Sequence, residues 1–134
     1  MLSPENQKSG PLAGIRVVDL TRVLSGPFCT MMLGDMGAEV IKIERPDSGD
    51  DTRAFAPPYQ GKESAYFLTV NRNKKSVTLD LKHDAAKEAL WRLVEGADVL
   101  VENFRPSAAA RLGFSYDDVA ARNSGLIYGS ISGF

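Results

Sequence analysis

Apolar positions along the chain follow two alternating rhythms. Residues 15–20 (I-R-V-V-D-L), 39–44 (E-V-I-K-I-E), 76–81 (S-V-T-L-D-L), 98–102 (D-V-L-V-E) and 126–131 (L-I-Y-G-S-I) are short β-type runs and read as strands. Between the first two, Phe28, Met31, Met32 and Met36 recur at helical spacing. The turn Leu24-Ser25-Gly26-Pro27 opens that helix, with Pro27 suited to its first position and Ser25 placed to cap it, and Gly37 closes it. Residues 84–95 form the clearest helix, because Ala86, Ala89, Leu90, Leu93, Val94 and Ala97 share one face. A short helical piece covers 108–112. Another starts at Ser115, with Asp118 three residues on in capping-box spacing. Residues 64–70 fit either a short helix or an extended piece. Residues 45–61 carry Pro46, Gly49, Pro57, Pro58 and Gly61 and read as a long loop, a length usually tied to function or mobility.

Short strands joined by helices predict an α/β fold with a parallel, Rossmann-like sheet and flanking helices. Ligands of such sheets bind outside the carboxyl ends of the strands. The expected ends are 21–25, 44–46, 80–82, 102–104 and 132–134. Residues 1–10 are polar and read as a flexible tail, leaving 11–134 as one domain. The last strand lacks a following helix to cover it, so this unit is expected to be the amino-terminal part of a longer protein.

Composition narrows the function. The chain has 134 residues, 43% hydrophobic and 25% charged, as in ordinary soluble domains. A net charge of −1 argues against a general nucleic-acid or membrane-surface role. One cysteine, Cys29, excludes an internal disulfide and fits a cytoplasmic setting, and one histidine, His83, excludes a usual zinc site. No apolar run is long enough to span a bilayer, and residues 1–10 lack a secretory pattern. There is no G-x-G-x-x-G after the first strand and no Walker A sequence. His83 reads as a surface or capping residue.

The chemistry-bearing residues gather at strand ends. Residues 19–27 run from a strand end into a helix start, which suits an anion or a plain tight turn. Arg45 and Lys82 each end a strand run with a cation. Residues 71–75, N-R-N-K-K, form a basic loop. In residues 102–106, E-N-F-R-P, Asn103 offers hydrogen bonds and Phe104 a stacking face for a purine, or else a turn residue and a core residue. Singly each has an ordinary structural explanation. Together they suit a ligand with both phosphates and a purine.

The ordered motifs P-L-x-G-I-R-V-V-D-L-T-R-V-L-S-G-P-F, G-D-M-G-A-E-V-I-K-I-E-R-P, S-G-D-D-T-R, N-R-N-K-K-S-V-T-L-D-L-K, A-D-V-L-V-E-N-F-R-P and L-G-F-S-Y-D-D-V resemble the class III CoA-transferases from Pro11 to Phe134. The resemblance implies that the Rossmann-like domain binds coenzyme A. Its implied contacts are the segment Arg22, Val23, Leu24 and Ser25, then Arg45, Leu79, Lys82, Asn103, Phe104 and Arg111. Arg22 stands where some members have His, and Leu24 where others have a polar residue. Arg45, Lys82 and Arg111 would meet phosphates, Leu79 and Phe104 would pack near the adenine, and Asn103 would hydrogen-bond. In this family an aspartate, expected beyond residue 134, attacks the acyl-CoA thioester to give a mixed anhydride and CoA thiolate. The thiolate then attacks the anhydride to give an enzyme–CoA thioester, from which the acceptor carboxylate leaves as the new acyl-CoA. No aspartate here, Asp50 and Asp51 included, matches that nucleophile, so this segment alone is expected to be inactive. The resemblance further implies an interlocked homodimer, and through the D-D-T-R-A-F-A-P-P loop it is closest to members acting on dicarboxylic acids with succinyl-CoA as donor; no metal is expected. Arg53 in that loop would meet a distal carboxylate or form a structural ion pair. An acyl-CoA racemase of the same fold, with an acid/base pair past Phe134, and a non-catalytic CoA-binding module are the alternatives.

Overall fold

The computed structural model describes residues 9–133. The expected tail therefore lies mostly outside the described residues. Of its last two, Gly10 accepts a backbone hydrogen bond from Ala13.

The chain folds as β1 (Arg16–Asp19), α1 (Ser25–Asp35), β2 (Glu39–Glu44), a 3-10 turn (Asp51–Ala54), a two-stranded hairpin β3 (Tyr59–Gln60) and β4 (Glu63–Ser64), α2 (Ala65–Asn71), β5 (Lys74–Thr78), α3 (Asp84–Glu95), β6 (Val99–Glu102), α4 (Ala108–Leu112), α5 (Tyr116–Arg122) and β7 (Ile127–Ser130). Five strands form one parallel sheet in the order β5-β2-β1-β6-β7. The chain builds outward from β1 through β2 to β5, then returns to the other side of β1 for β6 and β7. The order therefore reverses between β1 and β6, a switch point of the kind beside which α/β sheets bind ligands.

The central strands are largely apolar on both faces, as expected where helices lie above and below a parallel sheet, with Asp19, Lys42, Glu44 and Glu102 as buried charged exceptions. Adjacent Val17 and Val18 point to opposite sides, and both are fully buried. On one side Val18, Leu20, Ile41, Ile43 and Leu100 pack against Leu90, Trp91 and Val94 of α3 and Val119 of α5. Trp91 stacks on Phe114 with ring centroids 4.4 Å apart. On the other side Val17, Ala38, Val40 and Val101 meet Leu33 of α1 together with Leu12 and Ile15. Ser115 closes the capping box on α5 as expected, its hydroxyl bonded with Asp118.

Three sequence expectations are corrected. Ser25 does not cap α1. The helix begins at Ser25 itself, Leu24 is the cap residue, and Phe28 N–H donates to the Leu24 carbonyl. The third sheet strand is Lys74–Thr78 rather than 76–81. The apolar alternation of Val77, Leu79 and Leu81 runs past the strand's end. Leu79 N–H makes a last bond to the Glu44 carbonyl, after which the Asp80 carboxylate accepts from Lys82 N–H and its carbonyl from His83 N–H, closing a turn. Lys82 therefore sits in that turn, beyond the strand. The 45–61 loop is partly ordered by the 3-10 turn and by β3. The undecided stretch 64–70 is a helix, because the Ser64 hydroxyl accepts from Phe67 N–H.

Candidate functional site

A cleft of about 490 Å3 opens at the carboxyl ends of β1, β2 and β5. Arg22 lines it from the β1–α1 loop, Arg45 from the end of β2, Leu79 and Lys82 from the turn after β5, and Phe104 from the end of β6. Leu20, Leu81 and Leu112 add apolar wall. The lining thus combines the cations Arg22, Arg45, Lys82 and Lys42 with an apolar side, and also carries Glu44, Asp47, Asp50 and Asp80. Lys42 is paired with Asp50, which leaves Arg22, Arg45 and Lys82 as the cations suited to a phosphorylated ligand with a flat or aliphatic body.

The other expected site residues lie around this cleft rather than in its wall. The Asn103 side chain is engaged with the main chain of Arg22. It accepts from Arg22 N–H at 2.9 Å and donates to the Arg22 carbonyl at 2.7 Å. That reciprocal pair ties the end of β6 to the loop after β1, across the switch point. Val23 takes φ 72°, a costly conformation for a β-branched residue. Its N–H donates to Asp50 at 3.2 Å. Ser25 is exposed at the start of α1. Arg111 is exposed on the last turn of α4, next to the cleft residue Leu112.

Part of the cleft's own lining, Lys42, Glu44 and Asp50, belongs to a layer of buried charge that the sequence reading did not single out. Lys42 is 1% exposed. It donates to the Thr21 carbonyl at 2.8 Å and lies 2.8 Å from the Asp50 carboxylate. The other Asp50 oxygen accepts from Thr52 N–H, the Thr52 hydroxyl and Val23 N–H. Asp50 is thus a hub joining β2, the β1–α1 loop and the 3-10 turn it caps. Burial alone would raise its pKa, but Lys42 and the Thr52 donors outweigh that and hold the carboxyl below its ordinary value.

Glu44 forms the second clamp. Arg53 meets it side-on through two 2.7 Å contacts, Ser76 donates at 2.7 Å, and Asp50 N–H at 2.9 Å. Burial opposes ionisation of Glu44, yet these donors hold its pKa at about 2. Arg53 therefore has a structural ion pair, and it also stacks on Phe67. Asp19, fully buried, anchors the β1–α1 turn through Thr21, Thr30 and Lys74. Burial pushes the Lys74 ammonium's pKa down against the pull of Asp19. One signal for this layer was available: Lys42 and Glu44 interrupt an otherwise apolar run in a strand expected to be buried on both faces.

The CoA-transferase family III profile matches residues 12–134. Among curated relatives, the chain is 49% identical over 92% of its length to succinyl-CoA:glutarate CoA-transferase of Homo sapiens, covering 28% of that protein. It is 52% identical over 93% of its length to acetyl-CoA:oxalate CoA-transferase of Acetobacter aceti, covering 32% of that protein. The chain thus spans under a third of these relatives. Its fold matches the crystal structure of a CAIB/BAIF family protein from Brucella suis with a TM-score of 0.90 and 43% identity, covering 95% of this chain and 34% of that one.

Proposed function

The chain belongs to CoA-transferase family III, and on that premise we propose that it forms the CoA-binding part of a longer enzyme that moves CoA from an acyl-CoA donor to a carboxylic acid. The observation that carries this reading is the cleft itself, whose lining brings Arg22, Arg45 and Lys82 together with the apolar side chains of Leu79 and Phe104. Coenzyme A has matching parts: anionic phosphates for the cations and an adenine for the apolar wall. Asn103 serves the site by fixing the Arg22 main chain. Val23 and Ser25 shape the loop that carries Arg22, and Arg111 stands at the rim.

In this reading the segment's own task is to hold CoA while acyl groups are exchanged at the thiol end. The nucleophilic aspartate lies elsewhere in the longer chain. Its carboxylate attacks the thioester carbonyl, the C–S bond breaks, and the thiolate leaves but stays bound through the contacts above. The relatives cited are named as transferases acting with glutarate or oxalate, which supports transfer over racemisation and a dicarboxylic acid as acceptor.

Two measurements test the reading in the full-length enzyme. Arg45→Ala is expected to weaken CoA binding by about 1.5–3 kcal/mol, measured by calorimetric titration, because a charged phosphate contact is removed. Unchanged affinity would take Arg45 out of the site. Brief exposure to succinyl-CoA is expected to add an acyl or CoA mass to the intact protein. A protein that turns over without any adduct would rule out covalent transfer.

A further inference from the structure

The cationic rim of the cleft already carries an anion supplied by the protein. One Asp51 oxygen pairs with Arg45 Nη2, and the other lies 3.4 Å from Arg22 Nη1. All three side chains are about half exposed, so a ligand can reach them. The backbone that presents Asp51 is nonetheless fixed. Asp50, pinned by Lys42, caps the turn on one side of it, and Arg53, clamped to Glu44, holds the other. Arg45 is also held in place, donating through Nε and Nη2 to the Gly49 carbonyl.

We propose that Asp51 is a specificity residue of the cleft, holding the anion position of Arg22 and Arg45 until a phosphate of the ligand displaces it. The proposal rests on the CoA-binding reading. A carboxylate carries one negative charge and a terminal phosphate close to two at neutral pH, so a phosphate competes for the guanidinium groups where a free carboxylic acid does not. The acids this reading takes as acceptors are themselves carboxylates, and Asp51 would keep them out of a subsite meant for phosphate.

The test is a double-mutant cycle in the full-length enzyme, with CoA as the titrated probe. Exposed ion pairs contribute up to about 1 kcal/mol, so Asp51→Asn is expected to bind CoA about two- to fivefold more tightly. The gain is expected to disappear when Arg45→Ala is also present, because the competition then has no object. Asp51→Ser, which also removes the charge, is expected to show the same gain. Unchanged or weaker binding in both Asp51 variants overturns the proposal. A gain that survives Arg45→Ala also overturns it, since that outcome reports only general charge removal. If Arg45→Ala alone leaves CoA affinity unchanged, the CoA-binding reading fails together with this one. If Arg45→Ala weakens binding and neither Asp51 variant tightens it, only the competition fails.

Discussion

Lys42 stands between Ile41 and Ile43 in the sheet and is less exposed than either. A buried cation persists only when its partner is buried with it, and here that partner is Asp50. Lys42→Met is expected to destabilise the protein by about 3–5 kcal/mol in urea titrations, because it strands the Asp50 charge. Adding Asp50→Asn should restore part of that loss, since the amide oxygen can still accept from Thr52 and Val23 without needing a counter-charge. Equal instability of the single and double variants would mean that the pair itself is not what matters. Glu44 contributes to the acid pH dependence beside Asp50, whose carboxyl is also held below its ordinary value. The folded Glu44 pKa of about 2 lies below the ordinary 4.5, so its contribution is fully present above about pH 4.5 and is lost as the pH falls towards 2. The linked stability is roughly 3 kcal/mol. Glu44→Gln should make the acid limb of a stability–pH profile shallower, with Asp50 still contributing, and an unchanged limb would discount the clamp. Arg22, Arg45, Lys82 and Phe104 line the cleft from positions that the sequence already marked as strand ends, where α/β sheets bind ligands, whereas Leu79 was named only through the family resemblance. The Lys42–Asp50 pair was not, because it exists only once the 45–50 loop folds back over the strand that precedes it.

Among the elements, the β1–α1 turn decides how the cleft is built. Gly26 lies in the first turn of α1 directly against Thr21, and a Cβ there would fall 2.3 Å from the Thr21 Cβ. Thr21 cannot retreat easily, since its hydroxyl and N–H are both bound to buried Asp19. Gly26→Ala is therefore expected to cost about 1–3 kcal/mol by overpacking and to loosen the Arg22 loop. Gly125→Ala, whose nearest neighbour would be 3.8 Å away, should stay within about 0.5 kcal/mol of the parent. Thermal unfolding of the two variants compares them directly, and equal behaviour would remove the steric argument. The elements themselves were readable to different degrees. Helix α3 and strand β2 match the expected spans because their apolar periods end at clear polar boundaries. Strand β5 was displaced by two to three residues, because the alternation of Val77, Leu79 and Leu81 continues through a turn that only the Asp80 side chain marks. The start of α1 was missed because its cap position is Leu24, which makes no side-chain cap bond.

At the scale of the whole molecule, the two faces of the sheet are covered unequally. Helices α3 and α5 cover one face, with Trp91 and Phe114 filling the space between them. On the opposite face α1 covers β1 and β2, but a trough of about 460 Å3 lies over β6 and β7, lined by Ile15, Val17, Leu33, Val99, Val101 and Ile131. Along α1 and its two cap residues, Leu24, Phe28, Met32 and Met36 recur at four-residue intervals, each more than a third exposed. The helical period of α1 was legible in the sequence, but which side of it met the sheet was not, because Met31 and Met32 are equivalent in composition and only one is buried. Apolar area of this kind draws other chains together when nothing lies over it. β7 is also an edge strand of the sheet among the described residues, with a row of backbone groups available for pairing. The 134-residue chain produced by itself is therefore expected to bind a hydrophobic dye and to run above 14.5 kDa in sizing experiments. Replacing exposed Phe28 and Met32 together with Glu should reduce self-association if the α1 stripe drives it, whereas Ile131→Glu should do so if the trough drives it. A chain that stays monomeric without binding dye would show that this domain tolerates both surfaces in water, and the apolar stripe would then need no partner to account for it.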